Sequence, residues 1–172
     1  WFVVALPVYL QAQLQWSHIQ VGTLLAAWVI LYGMVQASAP KITGKQATPS
    51  AINRYGSLLV LVPGLIAWLL QQNLPEQAVL IFGLLSFGAL FAINSSLHSF
   101  LVVYYAKDDG VSLDVGFYYM ANASGRLIGT VLSGVVYYYW GLTACLYISC
   151  GLLAIATLMA RGLPEKAVTS QG

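Results

Sequence analysis

The chain has 172 residues, 59% of them hydrophobic and only 7% charged, with a formal net charge of +2. A soluble domain carries about 25% charged residues, so a water-soluble globule of this size is excluded, and so small a net charge points away from nucleic acid. Long uncharged apolar runs leave one class, an all-α integral membrane protein whose backbone is satisfied inside each helix.

Six apolar segments follow in chain order, over residues 1–14, 19–39, 52–70, 78–105, 115–139 and 142–160. The first is short and opens on Trp1 without an initiator Met or a signal-peptide pattern, so it is expected to have lost its beginning. The others meet the length of a spanning helix, about 20 residues. Pro63-Gly64 in the third implies a kink, and Asp114 before the fifth is a candidate N-cap. The connections sort by charge. Lys41, Lys45 and Arg54 flank the second loop, Lys107 lies in the fourth, and Arg161 and Lys166 follow the last segment. The remaining connections, 11–18, 71–77 and 139–142, contain no Lys or Arg. That is the positive-inside pattern, and it predicts both ends of the chain in the cytoplasm. Tyr137-Tyr138-Tyr139-Trp140 marks the outer interface, and Trp16 and Trp28 have interfacial or packing roles.

The fifth segment holds the most informative residue. Arg126 is the one charge within an apolar run over 115–137 and falls near its middle. A cation at that depth costs several kcal/mol, so it must face protein or water. On a helical wheel Tyr119, Asn122, Arg126, Thr130 and Ser133 fall within about 80° of one another, a continuous polar face. Ala121, Gly125 and Gly129 form a small-residue stripe beside it, suited to close approach by a neighbouring helix. Two readings of Arg126 stand: a binding group for an anion in an aqueous cavity, or a structural cation held by carbonyls of a neighbouring helix. No acidic residue lies within a span to pair with it, which favours the first. The planar fork of guanidinium donors suits phosphate, arsenate or carboxylate.

A second polar group sits on the fourth segment, where Asn94, Ser95, His98 and Ser99 share about 140° of arc. Asn94 and His98 are one turn apart. An intramembrane His serves as a hydrogen-bonded packing residue or substrate contact, or as a proton relay, and both readings stay open. The expected directions of spans four and five put Asn94 and Asn122 on the same side of the midplane, where one cavity can join them to Arg126. Gln36 and Ser38 are cavity-lining or interfacial. Cys145 and Cys150, about 140° apart on one helix, read as small packing residues with no disulfide between them.

Enzyme chemistry has no foothold. There is no paired carboxylate, no His-x-x-x-His metal spacing, no recognisable Ser nucleophile and no Walker-type glycine loop. Neither a metal site nor a cofactor is expected.

Several stretches carry a resemblance. They are Trp1-Phe-Val-Val-Ala-Leu-Pro-Val-Tyr9, the run Trp28 to Pro40 with Tyr-Gly-Met-Val-Gln, Ala89-Leu-Phe-Ala-Ile-Asn-Ser-Ser-Leu-His-Ser99, and Asp109 to Gly129 through Asn-Ala-Ser-Gly-Arg126. Six helices with both ends inside match one half of a major facilitator superfamily transporter, and these stretches resemble the ArsJ family of organoarsenical efflux permeases. The resemblance covers nearly the whole chain and is most specific through Arg126. It implies that residues 1–172 are the C-terminal six-helix domain, with the N-terminal half absent from this chain. It implies a multi-pass protein of the bacterial inner membrane that exports 1-arseno-3-phosphoglycerate, an anion made from arsenate by a functionally linked glyceraldehyde-3-phosphate dehydrogenase. The substrate-binding residues are then expected to be Arg126, Asn122, Asn94, His98, Tyr119, Thr130 and Ser133. The chain departs from the superfamily pattern in its second loop, where Lys41-Ile-Thr-Gly-Lys45 lacks the Asp of the glycine-and-basic signature. A carrier of another organic anion or sugar phosphate, or a fragment without transport activity, is the alternative.

Overall fold

The computed structural model describes residues 4–43, 49–105 and 111–162. Five helices run through them: α1 (Ala5–Ala12), α2 (His18–Thr43), α3 (Pro49–Leu69), α4 (Glu76–Tyr105) and α5 (Val111–Arg161). Four of these, α2 to α5, are long and apolar enough to cross a bilayer. Five helical runs are counted where six segments were expected, because the last two expected segments join in α5 across a break at Gly141. Helix α1 is only eight residues long, and the last two segments form one helical run.

That run is broken once, at Gly141, whose φ of 77° and ψ of −174° lie outside the helical region. Only glycine visits such a conformation without strain. Ser133 and Cys145 show what the break does. Twelve residues along a straight helix span ~18 Å, yet the Cys145 thiol donates to the Ser133 carbonyl at 3.6 Å. The chain therefore doubles back at one residue, and α5 consists of two arms, 111–140 and 142–161.

The other helix ends follow local chemistry. Ser17 and Gln20 form a reciprocal capping box at the start of α2: the Gln20 side-chain carbonyl accepts from the Ser17 amide at 2.8 Å, and the Ser17 hydroxyl accepts from the Gln20 amide at 3.3 Å. Asp114 lies in the first turn of α5, three residues inside it, and so is not its N-cap. A carboxylate there still complements the helix dipole. Helix α3 continues through Pro63.

Packing directions follow from residue pairs. A Cβ on Gly83 of α4 would meet Ile66 of α3 at 2.6 Å, and Ile52 of α3 packs in one cluster with Ile93 and Leu97 of α4. Rising numbers meet falling numbers, so α3 and α4 are antiparallel. Trp28 packs on Gly88, and Tyr32 on Phe91 at 5.9 Å between ring centroids, so α2 runs parallel to α4. The arm 142–161 is antiparallel to α3. Gln71 donates to the Tyr147 hydroxyl at 2.8 Å, the Cys150 thiol to the Val60 carbonyl at 3.3 Å, and Arg161 to the Ser57 hydroxyl at 3.1 Å. The thiols are free, and each donates to a carbonyl across a helix seam in addition to filling space.

Two apolar clusters hold these helices together. One joins Leu6 and Leu10 of α1 to Leu59 and Ile66 of α3, Leu84 and Phe87 of α4, and Leu142 and Leu146 of α5. The other gathers Ala39, Ile52, Ile93, Leu97 and Leu101, with Ala160 against it. This second cluster draws together the end of α2, the start of α3 and the end of α5, so Lys41, Arg54 and Arg161 lie at one end of the bundle. At the opposite end the Tyr9 hydroxyl donates to a Glu76 carboxylate oxygen at 2.7 Å. Lys45, Lys107 and Lys166 lie outside the described residues.

Candidate functional site

The polar residues singled out in the sequence divide between two places. The first is the arm 111–140. Arg126 lies ~22 Å along it from Val111 and a similar distance from Gly141, at about 1.5 Å per residue. Its side chain is exposed, as are Tyr119, Asn122 and Thr130. Among the described residues the guanidinium has no hydrogen-bond or ion-pair partner, whereas the backbone carbonyl of Arg126 accepts from the Thr130 hydroxyl at 2.8 Å. That bond uses the only proton of Thr130, so its oxygen faces the surroundings as an acceptor. Tyr119 is 63% exposed and stacks edge-on against Tyr118 at 5.5 Å.

The small-residue stripe next to this face is open. A Cβ added at Gly125 or at Gly129 would meet nothing within 4 Å. Close approach by another helix was expected there, and none of the described helices makes it. The arm is held by its far end instead, where Ser133 and Val136 are buried and Tyr137 packs on the first core cluster. Ser133 thus belongs to the fold-back against Cys145, although its wheel position puts it in the polar stripe. The wheel carries direction around one helix and says nothing of where a second helix covers it.

The second place is a hollow of about 40 Å³ between α3, α4 and the arm 142–161, lined by Asn94 and His98 together with Gly56, Thr157 and apolar residues. His98 Nδ1 lies 2.9 Å from the Asn94 carbonyl oxygen. A carbonyl only accepts, so Nδ1 carries a hydrogen, and in neutral His98 Nε2 is left as an acceptor. Among the described residues, Asn94 Oδ1 is buried without a hydrogen-bond partner. An acceptor stranded in this way costs ~1–3 kcal/mol. The glycine makes the approach of the helices possible: a Cβ on Gly56 would come within 3.1 Å of Thr157.

None of Tyr119, Asn122, Arg126, Thr130 or Ser133 lines this hollow. The structure brings Asn94 and His98 together with each other and with α3, and it leaves Arg126 on a separate, open face. Thr157 and Gly56 were missed in the sequence because a Thr and a Gly in apolar runs are ordinary packing residues. Only their contact across the helix seam marks them. No group of three or more potential metal-ligating side chains occurs among the described residues.

No curated protein and no solved structure matches the chain. A family model does: that of the Major Facilitator Superfamily, over residues 1–171. The chain is thus a multi-pass membrane protein of a superfamily of transporters, and it belongs to the Major Facilitator Superfamily.

Proposed function

We propose that the protein exports an anionic, phosphorylated organoarsenical, 1-arseno-3-phosphoglycerate, with Arg126 as the group that binds the phosphate or arsenate oxygens. The observation that supports this is the exposed guanidinium midway along the arm 111–140, with no partner among the described residues. An unpaired cation within the bilayer is costly unless it meets water or a counter-charge. An anionic cargo supplies that counter-charge during transport. Tyr119 and Asn122 contribute hydrogen bonds on the same face, and the Thr130 oxygen lines the path beyond. The ArsJ resemblance through Asn122 to Gly129 supplies the cargo's identity and the link to a dehydrogenase that makes it. In this reading the ends of the chain lie in the bacterial cytoplasm. The open arm faces a cavity shared with a second helical bundle, and the two rock about the bound anion.

The same guanidinium fits other organic anions and sugar phosphates, so the assay must vary cargo as well as residue. Cells expressing the complete protein are challenged with arsenate, with and without the partner dehydrogenase, and efflux is measured. Resistance that requires the dehydrogenase supports the arsenical, whereas resistance or efflux indifferent to it supports another anion. Arg126→Gln is expected to lower efflux on the order of 10- to 100-fold, the worth of a hydrogen bond to a charged group, while leaving the amount of folded protein unchanged. Full activity in that variant defeats the assignment of Arg126.

A further inference from the structure

No side chain of the Arg126 face lines the hollow between α3, α4 and the arm 142–161. Its polar groups nonetheless converge in a specific way. Asn94 Oδ1 is a buried acceptor with no partner among the described residues, and His98 Nε2 is an acceptor because Nδ1 is committed to the Asn94 backbone carbonyl. Thr157 adds a hydroxyl on the opposite wall, and the rest of the lining is aliphatic, from Ile52 and Leu59 to Leu153 and Ala160. Acceptors on one helix cannot satisfy each other, since neither has a hydrogen to give. A small molecule with two donor hydrogens can serve both.

Volume decides which one. About 40 Å³ holds about three water molecules, at roughly 10–15 Å³ each. A carboxylate or phosphate would face two acceptors with its own oxygens. No charged side chain lines the hollow to balance a metal cation. Arg161, next in the chain after Ala160, donates to the Ser57 hydroxyl instead. Genuinely dry cavities are apolar, and this one is not.

We propose that this hollow is an internal water site. Water donates to Asn94 Oδ1 and His98 Nε2 and accepts from the Thr157 hydroxyl, and it holds the imidazole in its Nδ1–H tautomer. His98 is then a water-bound acceptor inside the bundle, and its role is separate from that of the anion at Arg126. The site does not depend on the identity of the cargo, so its test stands or falls apart from the transport assay.

The experiment pairs two readouts on the full-length protein in detergent or nanodiscs. Radiolytic hydroxyl-radical labelling marks side chains beside bound internal water. Leu59 and Leu153 are expected to be labelled well above the buried Leu84, and in Asn94→Leu the labelling falls to the Leu84 level. Nitrogen NMR of 15N-histidine protein, with His98 assigned through His98→Gln, is expected to show a protonated Nδ1 and a bare Nε2 that accepts a hydrogen bond. If Asn94→Leu fails to fold, Thr157→Val removes one water partner without a change of shape and is expected to lower the labelling. Lining residues labelled no more than Leu84 in the unaltered protein, or an Nε2–H tautomer, overturns the proposal.

Discussion

The two arms of α5 are one helical run with opposite fates. The arm 142–161 lies along α3 and is locked there by Thr157 on Gly56, by the Cys150 thiol on the Val60 carbonyl, and by Arg161 on Ser57. The arm 111–140 carries the intramembrane cation and a stripe of small residues, yet Gly125 and Gly129 face open space and Arg126 is exposed. Apolar area alone does not separate them, for both are rich in Leu, Val and Ile. The difference lies in what their polar atoms do. On the packed arm Cys150 and Arg161 bond to α3, whereas on the open arm Tyr119, Asn122 and Arg126 are exposed.

That contrast can be broken by substitution. The largest expected change is at Gly88, where any Cβ collides with the Trp28 indole nitrogen. Gly88→Leu overpacks the α2–α4 seam, and thermal unfolding in detergent should register a loss of ~1–3 kcal/mol. An unchanged midpoint would show that this seam is not closely packed. Next comes Gly141→Ala. A Cβ there meets nothing within 4 Å, so the expected penalty of ~1–2 kcal/mol comes only from the positive φ. Spectroscopic distances between spin labels on the two arms should widen if the fold-back relaxes.

The open arm should respond in the other direction. Gly125→Ala has nothing to collide with and improves helix propensity, so the same unfolding measurement on this chain should show no loss and a gain of up to ~1 kcal/mol. A loss there would mean that the stripe is covered in the folded chain. The smallest effect belongs to Tyr9→Phe, which deletes an exposed hydrogen bond to Glu76. It is expected to change stability by no more than about 1 kcal/mol, and a larger change would make this bond a principal tie between α1 and α4.

The sequence exposed the helical class, the approximate positions of the spanning segments and the isolation of Arg126. Each rests on a one-dimensional property: long apolar runs, charge-free stretches, and the period of a helix. Charge sorting also carried over for Lys41, Arg54 and Arg161, which meet at one end because helices that alternate in direction return their loops to the same side. The separation of Asn94 and His98 from Arg126 was not legible. A helical wheel places side chains around an axis, but which neighbour covers which sector depends on glycines at crossing points, such as Gly56 and Gly64, that admit one helix and not another.

The fold-back at Gly141 is a similar case. Tyr139-Trp140-Gly141-Leu142 reads as a brief interfacial connection, and only the positive φ of one glycine turns it into a hairpin that buries Ser133. By itself, then, the chain determined that it lives in a bilayer, since that follows from the transfer of residue types out of water. The tertiary arrangement alone decided which polar atoms face inward and which stay open, because that outcome depends on close contacts between segments far apart in the chain.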